Sequence, residues 1–131
     1  MPPVSFDGRS LVPFLRGEVP EDWRDHAFME MEFGEPAAPT LVQRRLALPL
    51  RAANAAILRE TRWKYVHFNG GLPPLLFDLV TDPDETRDRA GDPACRDELA
   101  RLARKMLDHR MTHAAGALAR AAITADGVAW E

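Results

Sequence analysis

Among the side chains able to hold a metal or attack an electrophilic centre, His109 and His113 have the most suggestive spacing. Four residues apart on a helix, they share one face, and a zinc hydrolase of the H-E-x-x-H kind takes two imidazole ligands from that spacing. The same chemistry needs a glutamate directly after the first histidine as general base. Arg110 stands there instead, a cation beside a proposed cation site, so the pair reads as the solvated end of a helix. Cys95 is the single thiol, in Ala94-Cys95-Arg96-Asp97-Glu98. A helix start would favour its thiolate, the adjacent acids oppose it, and no histidine is near in sequence, which makes packing the expected role.

The carboxylate clusters Glu30/Glu32 and Asp82/Asp84/Glu85 have the oxygen chemistry of a divalent cation site. Each also has a simpler account, the first as the outward face of a strand and the second as helix-capping side chains. His67 alternates with Tyr65 and could line a pocket, but it reads first as a partly buried strand histidine that simply hydrogen-bonds. Trp63, Tyr65, Phe68 and Phe77 read first as sheet packing and second as an aromatic ligand platform. There is no glycine-rich phosphate loop, no G-x-S-x-G and no Cys/His cluster. The expectation is therefore no catalytic, no cofactor-binding and no metal residue in this chain.

The elements that would position these groups follow from periodicity and punctuation. Ser10 can cap a short helix that Gly17 ends. Residues 27–33, Ala-Phe-Met-Glu-Met-Glu-Phe, alternate with period two and read as a half-buried strand. Residues 41–48 suit a short helix stopped by Pro49, with Arg44 and Arg45 outward. Residues 55–59 and 63–68 form a hairpin, and 75–80 return as a further strand. Asp82-Pro83-Asp84-Glu85 predicts one helical turn, with a capping side chain, Pro at the first position and Glu at the third. Asp92-Pro93 repeats the device before a long amphipathic helix carrying Leu99, Leu102, Ala103, Met106, Leu107 and Arg110, ending near Gly116. Ala117 to Ala122 would add a helical turn, and Ile123 to Glu131 reads as a tail with a turn at Asp126-Gly127.

Length and charge bound what such a chain can do. At 131 residues, 46% apolar and 28% charged, it holds one core at most. The net charge is −3, from 17 basic and 20 acidic side chains scattered along the chain, which leaves no footprint for nucleic acid or anionic membrane. A single cysteine, no signal-like N-terminus and no apolar run near the roughly 20 residues of a bilayer span predict a cytoplasmic protein.

The order of several landmarks resembles a known family. Asp7-Gly8-Arg9-Ser10-Leu11-Val12-Pro13-Phe14-Leu15-Arg16-Gly17 is similar to the D-G-x-S-L-x-P-x-L-x-G segment that follows the catalytic core of sulfatases in the alkaline phosphatase superfamily. Trp23-Arg24-Asp25, Leu58-Arg59, Arg62-Trp63-Lys64-Tyr65-Val66, Leu76-Phe77-Asp78-Leu79 and Asp82-Pro83-x-Glu85 follow in the order of that family's C-terminal region. Leu46-Ala47-Leu48-Pro49-Leu50, Tyr65-Val66-His67-Phe68 and Leu72-Pro73-Pro74-Leu75 look most like phosphonate monoester hydrolases and related arylsulfatases. Asp88-Arg89-Ala90 departs from the family's Asn-Leu-Ala.

The resemblance implies an α+β fold, a small antiparallel sheet of about four strands with the long C-terminal helix packed on one face. It divides the chain into a lead-in with a short helix (1–26), the sheet and helix (27–116) and a tail (117–131). It further implies chemistry by a divalent metal and a formylglycine made from the Cys of a C-x-P-S-R motif, equipment belonging to a part of the enzyme absent here. Cys95 does not supply it, since Asp97 stands in the place of Pro and Leu99 in the place of Arg. The expected partner is the missing catalytic domain, with residues 123–130 reaching outward, and the expected role is to shape a substrate entrance or subunit contact. The rival expectation is an independent module that forms a homo-oligomer or binds another protein. A self-sufficient hydrolase would require metal-dependent turnover by this chain alone.

Overall fold

The computed structural model describes residues 8–113, 121–125 and 127–130. Near its start, helix α1 (Val12–Leu15) carries Pro13, tolerated where its missing N–H is not needed. Ser10 Oγ accepts the Val12 N–H at 3.3 Å, and Gly17 leaves the helix at φ +77°. Strand β1 (Ala27–Glu32) follows, then helix α2 (Leu41–Leu46), opened by a reciprocal cap between Thr40 and Gln43. Ala47, in the left-handed region at φ 52°, ends α2 ahead of Pro49. A 3-10 turn at Leu50–Ala52 leads into strands β2 (Asn54–Arg59), β3 (Trp63–Phe68) and β4 (Leu75–Asp78).

The predicted helical turn after Asp82 is not a helix. Glu85 adopts φ +55°, which breaks the helical path, and the Asp82 carboxylate instead accepts the N–H groups of Thr86 and Arg87 at 3.1 and 2.8 Å. Asp92-Pro93 behaves as expected. Asp92 accepts the Ala94 N–H at 2.9 Å, and a 3-10 turn (Pro93–Cys95) passes into helix α3 (Arg96–His113).

Beyond it, strands β5 (Ala121–Thr124) and β6 (Gly127–Trp130) pair as a hairpin. The added helical turn at 117–122 is corrected where it overlaps β5, and its residues 117–120 lie outside the described residues, as do Gly116 and Asp126. What reads as a tail contains two short strands paired in antiparallel register.

β1 to β4 form one antiparallel sheet in the order β1-β2-β3-β4, the expected α+β arrangement. Register assigns its faces. Phe28, Leu58, Tyr65 and Leu76 lie opposite one another on one face, and Met29, Ile57, Val66 and Leu75 on the other. α3 packs on the first. Its Leu102 and Met106 are buried against Ala56, Leu58, Tyr65 and Leu76, with Cys95 in the same cluster and Phe28, Trp63, Leu99 and Ala103 at its margin. Leu58, Leu76 and Leu102 are fully buried, each contributing roughly 1.5–3 kcal/mol by transfer out of water.

β1 departs from its predicted half-buried character. Its period-two pattern holds, but Met29 and Met31 remain 47% and 48% exposed, because they occupy the face opposite α3. Phe28, on the face of Glu30 and Glu32, is the β1 side chain that packs against the core.

The chain divides into two compact units, residues 24–106, and residues 1–23 with 107–131. The first contains the sheet and most of α3. Within the second, Phe14 and Trp23 meet edge to face at 4.7 Å, and Arg9 pairs with Asp22 at 3.2 Å. No helix among the described residues is long and apolar enough to cross a membrane.

Candidate functional site

The residues singled out for chemistry are scattered rather than gathered. His109 and His113 stack on α3 with ring centroids 4.1 Å apart, and His113 Nδ1 lies 2.9 Å from the His109 carbonyl oxygen. Among the described residues no three His, Cys, Asp or Glu side chains converge as a metal-ligand set. Cys95 is 7% exposed inside the core cluster, with its Sγ 3.9 Å from an Arg89 nitrogen. Among the described residues, then, no ligand set fits the metal implied by the resemblance, and Cys95, followed by Arg96-Asp97-Glu98-Leu99, lacks the C-x-P-S-R context of a formylglycine.

The acidic clusters are likewise occupied or dispersed. Glu30 and Glu32 are exposed along β1. Asp82 spends both carboxylate oxygens on its own turn, and the N–H groups of Arg87 and Thr86 hold its carboxyl below the usual range. Glu85 accepts from Lys64 Nζ at 2.5 Å, a contact across the sheet from β3 that is compatible with its left-handed backbone. His67 is exposed, and its Nδ1 lies 3.1 Å from the buried Tyr65 hydroxyl, whose pKa is pushed up by burial. That pair is a local hydrogen bond at the end of a strand.

What the fold does assemble is a set of ionic ties that the local pattern did not disclose. Lys105 Nζ donates to Asp25 and to Glu60, each at 2.6 Å. Arg101 grips the same Glu60 through two nitrogens and also holds Glu98. Hydrogen bonds from His26 first, then Lys105, draw the Asp25 carboxyl down to about 2, and Arg101 is the chief cause of a lowered Glu60. Burial disfavours the Lys105 cation, but its bonds to Asp25 and Glu60 outweigh that and raise its pKa. At the β3–β4 end, Arg62 forks onto Asp78 at 2.9 and 3.1 Å, and its guanidinium lies 5.0 Å from the Trp63 ring centre. These groups fasten α3 and the turns to the sheet. Apart from the Glu98–Arg101 spacing of three, none had a local signal, since Asp25 and Lys105 are 80 residues apart.

The opposite sheet face has a different character. Ala55 and Val66 on it are buried, and Ile57, Phe68, Leu75 and Phe77 are half-buried, while Met29 and Met31 stand half exposed. Exposed apolar side chains also occur on α2 and the turn after it, at Leu41, Val42, Leu46 and Leu50. Gly34 joins these regions. It follows β1 so closely against Leu50, Ala53 and Gln43 that a Cβ there would lie 2.8 Å from Leu50.

The fold superposes on parts of longer proteins. The phosphonate monoester hydrolase SpPMH from Silicibacter pomeroyi superposes on 95% of this chain with TM-score 0.81 and 45% identity, over 24% of its own length. A putative sulfatase from Bacteroides thetaiotaomicron matches 84% of the chain at TM-score 0.63 and 28% identity, over 21% of its length. In sequence, the multifunctional alkaline phosphatase superfamily protein PehA of Trinickia caryophylli is 38% identical over 112 residues, 86% of this chain and 21% of that protein. The homologues are alkaline phosphatase superfamily members. The chain corresponds to a C-terminal portion of them and spans about a fifth to a quarter of their length. No family model matches the chain.

Proposed function

We propose that this chain is the accessory C-terminal subdomain of a sulfatase or phosphonate monoester hydrolase-like enzyme. Its role is to complete the fold of the catalytic part and to shape its substrate entrance or subunit contacts. The divalent metal and formylglycine chemistry belongs to that other part, and the assembled enzyme is cytoplasmic. One observation carries the reading: the chain matches a fraction of these hydrolases over nearly its whole length, while its own candidate groups lie apart and are engaged in structural bonds.

The test is hydrolysis of a phosphonate monoester and of an aryl sulfate, with divalent metal added. The purified chain alone is expected to give no turnover above buffer. The separately produced upstream part of the Silicibacter pomeroyi enzyme should gain activity or solubility when the chain is added. Metal-dependent turnover by the chain alone would reject the reading.

A further inference from the structure

α3 is fastened through Leu102 and Met106 in the core and through the ionic ties of Arg101 and Lys105. His109 and His113 follow these residues on the same helix, one turn apart on one side of it. Their rings stack, with centroids 4.1 Å apart and planes inclined by 21°. His113 Nδ1 lies 2.9 Å from the His109 carbonyl oxygen. A carbonyl oxygen only accepts, so Nδ1 is the donor, and in the neutral imidazole the lone pair is then on Nε2.

A histidine that binds a metal through one ring nitrogen commonly donates its other ring N–H to a backbone carbonyl, which fixes the tautomer and the orientation of the ring. His113 has that arrangement already. An ion held at about 2.0–2.1 Å by each of two imidazole nitrogens needs those nitrogens within about 4 Å of each other. The two rings are spaced on that scale, so rotation about side-chain bonds brings a nitrogen of each onto one ion while the helix stays as it is. Each ring gives one nitrogen to the ion and keeps the other for a hydrogen bond, which makes ligation compatible with the bond to the helix carbonyl.

We propose that His109 and His113 form a two-imidazole site for a late first-row divalent cation, Cu2+, Ni2+ or Zn2+, with water completing its coordination. Imidazole suits these ions, whereas Mg2+ and Ca2+ take oxygen ligands. Holding an ion takes lone pairs and not a base, so Arg110 in place of a glutamate after His109 removes hydrolysis and leaves binding. The Arg110 cation weakens the site without closing it. The ion bridges two successive turns and stabilises that end of α3 by binding the folded helix in preference to the unfolded chain. The site is separate from the metal chemistry that the accessory reading assigns to another part of the enzyme.

The experiment titrates the untagged full chain with Zn2+ and, separately, with Mg2+ by calorimetry near neutral pH, and records pulsed electron paramagnetic resonance of the chain loaded with Cu2+. H109Q, H113Q and H67Q accompany the wild type. The expected result is one Zn2+ per chain, bound by the wild type and H67Q within about twofold of each other and at least about tenfold more weakly by H109Q and by H113Q, with no Mg2+ binding. The copper spectrum of the wild type should show two coupled imidazole nitrogens. Circular dichroism shows whether each variant keeps its helix, and the copper spectrum reads the wild type alone, so a variant that fails to fold leaves the proposal open to refutation. No Zn2+ binding by the wild type overturns the proposal. Zn2+ affinity unchanged in H109Q and H113Q, Mg2+ bound as tightly as Zn2+, or copper coupled to fewer than two imidazoles overturns it as well.

Discussion

Lys105 Nζ lies 2.6 Å from Asp25 Oδ2 and 2.6 Å from Glu60 Oε1, so one ammonium on α3 ties the segment entering β1 to the turn between β2 and β3. The two bonds are unequal in surroundings: Asp25 is 74% exposed, whereas Glu60 is 15% exposed and also bound by Arg101. Replacing Lys105 by Met keeps the apolar stem and removes the charge. It is expected to cost about 1–2 kcal/mol in denaturant unfolding, between the values for exposed and buried ion pairs, while Asp25→Ala costs less than about 1 kcal/mol.

The same carboxylates set the acid stability. Asp25, Glu60, Asp78 and Asp82 are all held below their ordinary values in the folded chain, so the unfolded chain binds more protons in the acid range. Their contribution is complete above about pH 4.5, the ordinary glutamate value, and drains as pH falls toward about 2, where Asp25 titrates in the fold. The melting temperature should therefore drop through that window, and Lys105→Met should make the slope shallower.

In the core, Leu102 is fully buried between α3 and the sheet. Leu102→Ala is expected to cost about 2–5 kcal/mol, the range for truncating a buried leucine. Met29→Ala, on the open face, should cost well under about 1 kcal/mol in the isolated chain. Equal losses at the two positions, read by chemical denaturation, would contradict the assignment of the faces.

Gln43 is buried at 3% exposure, and its Oε1 accepts the N–H groups of Glu35 at 3.0 Å and Thr40 at 2.9 Å. Gln43→Leu preserves volume but leaves these N–H groups without their acceptor. A loss of roughly 1–3 kcal/mol in thermal or denaturant unfolding is expected.

These residues also mark what could be read in advance. The strand at 63–68 and the helix after Asp92-Pro93 were legible, because an aromatic and β-branched run and a cap-plus-proline start are local signals, and the apolar run at 55–59 marked the strand that is observed at 54–59. The turn after Asp82 misled, since the pattern of a helix start also serves a capped turn when the next residue, Glu85, turns left-handed. β1 was legible in period and not in burial. Alternation divides side chains between two faces, but which face the core takes depends on where α3 packs. The Lys105 ties were beyond local reading because their partners come from segments distant in sequence, whereas Thr40-x-x-Gln43 is the local spacing of a capping box that the reading of α2 passed over.

The central claim, that this chain supplies structure to a hydrolase whose chemistry lies elsewhere, is tested most directly by transplantation. The matched C-terminal segment of the Silicibacter pomeroyi phosphonate monoester hydrolase is exchanged for this chain, and phosphonate monoester hydrolysis is compared with the intact enzyme and with a version lacking the segment. The account predicts that the exchange restores activity to within about tenfold of the intact enzyme while the shortened version is inactive or insoluble. A folded chimera as inactive as the shortened enzyme, or a shortened enzyme as active as the intact one, would contradict it.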